Sequence, residues 1–340
     1  MDSSVTDGEA ILQVRNLRKW FPLREGLLSR TRDSVKAVDG VSFDVYSGET
    51  LGIVGESGCG KSTTARCIPR LIRPDVGEMH FLDSDIMKAG RREMKRLRRD
   101  MQIVFQDPYT SLNPRMTIDD AVGFNLAVHG YSWKKARDRS WEVMEQVGLT
   151  PRMYARRYPH ELSGGQRQRV NIGRALILNP KLVILDEPVS ALDKSVQAQV
   201  LNLLLDLKQD LKLTYIFISH DLHVVEYVSD RVAVMYLGRV VETGPAEPLY
   251  SEPMHPYTKA LLASVPTGDP DRRLESMPLS GDPPSPVNPP SGCRFRTRCQ
   301  FVMDRCASEE PQLLAVGDGR QVACHLYSED GENDPGMERA

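Results

Sequence analysis

An α/β fold built on a mainly parallel sheet covered by helices is predicted by three observations. Short β-type apolar runs, ETLGIV, MQIVFQ, LVILDE and TYIFIS, alternate with helical patterns through about the first 250 residues. GESGCGKST, opening at Gly55, follows the run LGIV directly and enters a helical segment containing Ala65, Ile68 and Leu71. LVILDEP, residues 182–188, ends an apolar strand in two carboxylates, at the strand end where open α/β sheets bind ligands.

The bulk of the chain bounds these expectations. Its 340 residues suffice for one large domain and a smaller appendage, and 44 basic against 46 acidic side chains leave a net charge of −2. That balance does not point to nucleic acid as a partner. The polar, acidic start MDSSVTDGEA lacks the regions of a signal peptide, and no apolar run approaches the ~18 residues of a membrane span, so a cytoplasmic location is expected. In a reducing compartment the six cysteines are read first as metal ligands or packing residues.

GESGCGKST fits G-x-x-x-x-G-K-[ST], a phosphate-binding loop. Its glycines let backbone N–H groups close around phosphates at a helix N-terminus, Lys61 reaches the β and γ phosphates, and the Ser62 hydroxyl can ligate Mg²⁺. The candidate nucleotide contacts are Gly55, Ser57, Gly58, Cys59, Gly60, Lys61, Ser62 and Thr63. On LVILDEP, Asp186 is expected to hold Mg²⁺, directly or through water. Glu187, facing the other way along the pleat, is the expected general base for the attacking water. Gln106 ends the strand MQIVF, where its amide can contact Mg²⁺ or that water, and His220 ends the strand TYIFISH. A second glycine-rich element, LSGGQ at 162–166, precedes another helix but brings neither a lysine for phosphates nor carboxylates for metal. It is chemically half a site. Ser163 can cap a helix starting near Gly164, leaving N–H groups and the positive dipole end facing an anion.

Between these motifs, residues 117–160 carry helical pattern without a clear strand and read as an inserted helical subdomain, placed at about 107–165. Domain boundaries follow: a nucleotide-binding domain at 1–252, and a C-terminal module at 253–327 that contains a proline-rich linker at about 266–290. The polar tail 328–340 is expected to be disordered.

Together, the phosphate loop, Gln106, LSGGQ, LVILDE, SALD at 190–193 and His220 resemble the ABC-type ATPases. The resemblance implies that LSGGQ, through Ser163, Gly164, Gly165 and Gln166, contacts the γ-phosphate of ATP held by a partner subunit's phosphate loop. It further implies that Asp193 of SALD touches the partner near its active site and that His220 holds the γ-phosphate and lytic water. It also implies that an aromatic just after the first strand stacks on adenine. Aligning LQVRNLRKWF with that pattern favours Phe21, with Trp20 as the alternative. More narrowly, QDPYTSLNPRMTI, SHDLHVVEYVSDRVAVMYLGRVVETG, MHPYTKALLASVP and the terminal cysteine module resemble the ATP-binding subunits of bacterial oligopeptide/dipeptide ABC importers over nearly the whole chain. That likeness implies a peripheral protein at the cytoplasmic face of the cell membrane, a heterodimer with a paralogous ATPase subunit, two membrane permease subunits and an extracytoplasmic substrate-binding protein. Short helices of the permeases would enter the helical insertion, with Gln106 at its hinge.

The rival reading is a soluble ABC ATPase acting on nucleic acid or ribosomes. It rests on the basic run RREMKRLRRD at 91–100, which a solvated helix face also explains. Cys293, Cys299, Cys306 and Cys324 can hold an iron–sulfur cluster, a structural zinc, or pack as free thiols. The absence of C-x-x-C knuckles disfavours zinc, and some members of the resembled family carry a [4Fe–4S] cluster. Cys59 and Cys67 are read as loop or packing residues.

Overall fold

The computed structural model describes residues 8–23, 33–264 and 281–328. Its strands are β1 (Ala10–Pro22), β2 (Ser34–Tyr46), β3 (Thr50–Val54), β4 (Val76–Phe81), β5 (Ser84–Asp85), β6 (Met101–Val104), β7 (Leu182–Asp186), β8 (Thr214–Ile218), β9 (Arg231–Tyr236), β10 (Arg239–Pro245), β11 (Leu314–Gly317) and β12 (Arg320–Val322). The helices are α1 (Lys61–Cys67), α2 (Arg91–Asp100), α3 (Ile118–Val128), α4 (Trp133–Gln146), α5 (Pro151–Tyr154), α6 (Gly164–Leu176), α7 (Lys194–Leu211), α8 (Leu222–Val228), α9 (Ala246–Ser251), α10 (Pro256–Ala263) and α11 (Arg305–Ser308).

The four apolar runs read from the sequence become β3, β6, β7 and β8, which lie side by side in the order β3-β8-β7-β6 with parallel pairing throughout. Every residue of β3, β7 and β8 is buried, as strands covered on both faces require. Alternate side chains of one strand feed two cores. Leu182 and Ile184 of β7 join a core with β1, β2, α1 and α2, while Val183 and Leu185 join one with the helical insertion, α7 and α8.

Two features go beyond the sequence reading. A second, antiparallel sheet, β2-β1-β4-β5, packs on one face of the parallel sheet. The C-terminal module also continues the main sheet, because β12 pairs with β10 through Glu242↔Val322 and Thr243↔Gln321, and β11 follows at the edge. Main-chain hydrogen bonds therefore cross from the nucleotide-binding segment into the module. The helical insertion contains α3, α4 and α5, with Thr117 and Ser132 accepting capping bonds from Asp120 N and Lys135 N. Of the proline-rich linker, 266–280 lies outside the described residues, as does 329–340 of the tail. The described end of the linker runs beside β2, where the Pro286 carbonyl accepts from Lys36 N at 3.0 Å.

Candidate active site

β3 ends at Val54, and the chain turns through Gly55–Gly60 into α1. Gly55 and Gly60 adopt φ of 148° and 106°, and a Cβ at either would stand 2.1 Å from a carbonyl oxygen, of Met235 and Ala37 respectively. The loop is therefore wedged between the end of β9 and β2 in a conformation that only glycine fills. Lys61 is buried, its ammonium donating to the carbonyls of Gly55 at 2.7 Å and Glu56 at 3.1 Å. Cys59 and Cys67 are buried free thiols, in keeping with packing roles. Burial pushes both thiols up, Cys67 to about 12.

Asp186, the last residue of β7, is fully buried and accepts from the Ser62 hydroxyl at 2.7 Å. Its other oxygen accepts no hydrogen bond, and the Arg66 guanidinium stands 3.6 Å away. Burial raises its pKa against the opposing pull of Ser62 and Arg66. A buried carboxylate oxygen that accepts no hydrogen bond, beside a serine hydroxyl, is chemistry that fits Mg²⁺, and Ser62 and Asp186 are the residues that would hold it.

Gln106, the third residue expected at the metal or the lytic water, lies against Glu187. Its Nε2 donates to Glu187 Oε2 at 2.8 Å, and His220 Nδ1 lies 3.3 Å from the same oxygen. All three residues sit beyond their strands: β6 stops at Val104, β7 at Asp186 and β8 at Ile218. Glu187 has φ of +51°, a left-handed conformation rare for a residue with a side chain, and its N–H donates to the Ile218 carbonyl at 2.9 Å. Such backbone strain gathers at functional positions. Its carboxylate is aimed by that turn rather than by the strand pleat.

LSGGQ forms as read. Ser163 caps α6, accepting from Gln166 N at 3.3 Å while Gln166 Oε1 accepts from Ser163 N at 3.0 Å, a reciprocal capping box. Gly164 and Gly165 lie against Leu192 and Val196, and Gln166 Nε2 donates to the Tyr154 hydroxyl at 3.1 Å. Ser163 to Gln166 thus neighbour the helical insertion through Tyr154 and the SALD turn through Leu192. Asp193 is the exposed N-cap of α7. Trp20 and Phe21 are both partly exposed. The Trp20 indole N–H donates to Asp39 at 3.0 Å, whereas the Phe21 ring lies 5.4 Å from the Lys19 ammonium.

Three residues near the site were not singled out from the sequence. Arg66 lies one turn beyond Ser62 on α1, so the i, i+4 spacing offered a signal. Tyr257, whose hydroxyl accepts from Glu56 N at 2.9 Å, and Arg298, paired with the Glu56 carboxylate, come from some 200 residues downstream and carry no local signal.

In the module, all four cysteines lie within electrostatic reach of one another. Burial and then the neighbouring thiolates push Cys293 up to about 11 and Cys324 to about 12, and Cys299 is raised for the same reasons. Among the described residues, however, no group of three or more His, Cys, Asp or Glu side chains is placed to hold a metal ion. Neither the [4Fe–4S] cluster nor the structural zinc expected from the sequence therefore gains support from the structure.

Residues 38–190 match the family model for ABC transporters, and 241–306 match that for the oligopeptide/dipeptide transporter C-terminal region. A probable peptide ABC transporter ATP-binding protein, y4tS, of Sinorhizobium fredii is 51% identical over 94% of this chain and 90% of its own length. The oligopeptide transport ATP-binding protein AppF of Bacillus subtilis is 50% identical over 94% of this chain and 98% of its own. The chain belongs to the ATP-binding proteins of ABC transporters. Among solved structures this ABC ATPase resembles cbiO1 of Clostridium perfringens, part of the cbiONQ complex, at a TM-score of 0.62 and 29% identity over 73% of this chain and 92% of that one. A dimeric post-hydrolysis structure of the cassette MJ0796 bound to ADP and Pi gives a TM-score of 0.61 and 29% identity over 69% of this chain and 99% of that one. No helix of the ABC ATPase, among the described residues, is long and apolar enough to cross a membrane.

Proposed function

We propose that this ABC ATPase powers import of oligopeptides or dipeptides through separate membrane permease subunits, served by an extracytoplasmic substrate-binding protein. One observation carries this reading: the oligopeptide/dipeptide transporter C-terminal region, matched over 241–306, opens on β10, a strand of the same sheet that carries β3, β6 and β7 of the ATP machinery. The relatives named for peptide transport span both segments. The helical insertion supports docking of permease helices, since Tyr109, Phe124, Val128, Trp133 and Met153 expose large apolar surface there. The basic helix α2, which supports the nucleic-acid rival, ties Lys95 to the Val128 carbonyl and Arg98 to those of Pro69 and Arg70, as a solvated structural helix does. Purification with native permease partners, followed by assay of peptide-stimulated ATP hydrolysis, tests the reading. Stimulation by polynucleotide and not by peptide overturns it.

In the proposed mechanism the phosphate-loop N–H groups and Lys61 grip the phosphates, and Phe21, free of the hydrogen bond that engages Trp20, offers its face to adenine. Mg²⁺ accompanying the nucleotide would be held by Ser62 and Asp186 and supply charge neutralisation at the phosphates. Glu187 accepts the proton of the attacking water, while Gln106 and His220 hold its carboxylate in aim and contact the γ-phosphate end of the site. Ser163 to Gln166 and Asp193 complete the site of a second ATPase subunit, a paralogue in a heterodimer at the cytoplasmic face of the membrane. The exposed start of α6 supports this, because its positive dipole end faces outward. The four module cysteines, within electrostatic reach of one another, are the side chains that would hold a [4Fe–4S] cluster, a reading preferred to zinc because C-x-x-C knuckles are absent. Brown protein absorbing near about 400 nm is the expected result, and colourless protein with stoichiometric zinc overturns it.

A further inference from the structure

Glu56 is the acid of the phosphate loop, its second residue, in a cradle that must receive a polyanion. Its carboxylate meets Arg298 of the C-terminal module in a two-pronged pair, Nη1 to Oε2 at 2.8 Å and Nη2 to Oε1 at 3.1 Å. The Arg298 side chain is 5% exposed and that of Glu56 23%. Parallel paired bonds of this kind fix geometry as well as charge. The same glutamate is held through its main chain, since Glu56 N donates to the Tyr257 hydroxyl. Both partners stand on one aromatic cluster: Tyr257 lies 4.6 Å from Tyr236 and 5.5 Å from Phe295, ring centre to ring centre, and Phe295 lies 5.4 Å from Tyr236. Tyr236 ends β9, and Phe295 precedes Arg298 by three residues in the module.

We infer that Arg298 is a positioning residue for ATP binding: it neutralises Glu56 and ties its carboxylate to the C-terminal module, so that the module sets the affinity of the phosphate loop for nucleotide. An unpaired carboxylate in that loop would repel the triphosphate, and the repulsion would be large because the site is partly desolvated. The inference rests on the loop's role in ATP binding and is independent of what the cysteines hold.

The test is equilibrium binding of a fluorescent ATP analogue with Mg²⁺ to the full chain, alongside steady-state hydrolysis. Binding by the unsubstituted chain is the baseline, so a failed ATP-binding reading shows itself before any variant is compared. Arg298→Gln is expected to weaken binding roughly tenfold, because it strands a carboxylate beside the phosphates, with kcat at saturating ATP within about twofold. Arg298→Lys, which keeps the charge and loses the fork, is expected to recover part of that affinity. Glu56→Gln alone removes the carboxylate and leaves the Arg298 charge, so it is expected to bind ATP at least as tightly as the unsubstituted chain, and adding it to Arg298→Gln is expected to restore binding. Losses that are equal in the two single variants and additive in the double overturn the inference. The double variant buries no unpaired charge, so it carries the test alone if Arg298→Gln does not fold: a tenfold loss there overturns the inference equally.

Discussion

Gln106 donates to Oε2 of Glu187 across 2.8 Å, joining the end of β6 to the turn after β7. His220, from the end of β8, reaches the same oxygen at 3.3 Å. Residues from the turns just beyond the two parallel strands that flank β7 thus meet at the carboxylate that follows β7, at the strand ends where an α/β sheet offers its ligand crevice. The shared oxygen makes the aim of Glu187 depend on both neighbours.

Glu187→Gln tests that arrangement most directly. The amide keeps the shape and loses the base, so hydrolysis is expected to fall by about 10²- to 10⁴-fold. Nucleotide affinity should remain within about threefold, because the phosphate grip lies in the loop after β3. Phosphate release and nucleotide binding, measured on one preparation, separate the two. Near-normal turnover removes Glu187 from the role of base.

The glycines of the phosphate loop differ in what surrounds them. At Gly60 a Cβ meets the Ala37 carbonyl oxygen at 2.1 Å with φ of 106°, whereas Gly58 has φ of 81° and nothing within 4 Å. Gly58→Ala is therefore expected to cost about 1–2 kcal/mol from backbone strain alone. Gly60→Ala must displace main chain as well, and is expected to abolish nucleotide binding and lower Tm further than Gly58→Ala. Thermal melts and binding assays on the pair check the order, and equal effects would show that the contact with β2 is unimportant.

The legible part of this molecule was what local chemistry dictates. LVILD and TYIFI announce fully buried strands because both faces are apolar, and GESGCGKST carries its own geometry in its glycines. Ser163 capping α6 with Gln166 was readable for the same reason, since both partners lie within one turn. The Arg298–Glu56 pair was not, because 242 residues separate the two and neither is unusual in its own neighbourhood. Nor was the pairing of β12 on β10, since short strands such as RQV carry too little pattern to declare a partner. The positive φ of Glu187 was equally hidden, being set by the bond from its N–H to Ile218 on the next strand.

Ser163→Ala separates the capping role of LSGGQ from its role toward a partner. Losing the cap is expected to cost about 0.5–2 kcal/mol of stability. The isolated chain, whose own phosphate loop is untouched, should bind ATP within about twofold of the unsubstituted protein. Hydrolysis by the assembled transporter should fall much further than stability explains, because the second subunit's γ-phosphate loses its contact. Equal hydrolysis in the assembled form contradicts the composite site.

His255 makes the attachment of the module sensitive to acid. It is buried at 1% exposure, caps α10 by accepting from Tyr257 N at 3.0 Å, and lies 6.0 Å from the Phe295 ring. Burial holds its pKa down to about 3, against the opposing bond to the Ala323 carbonyl. Between that value and the ordinary pKa of about 6.5, the unfolded chain binds a proton that the folded chain refuses. Stability therefore rises with pH from about 3 to 6.5 and is flat above, with a slope from this residue near 1.4 kcal/mol per pH unit. About 2 kcal/mol is expected to be lost on going from pH 6.5 to 5. His255→Asn keeps an acceptor for the cap and cannot titrate, so its denaturation curves should lose about one proton's worth of acid dependence. Because Tyr257 follows on the same helix and holds Glu56 N, acid should also weaken ATP binding in the native chain more than in the asparagine variant. Parallel pH profiles for the two proteins would show that the folded chain protonates His255 as readily as the unfolded one, or that another group governs the acid limb.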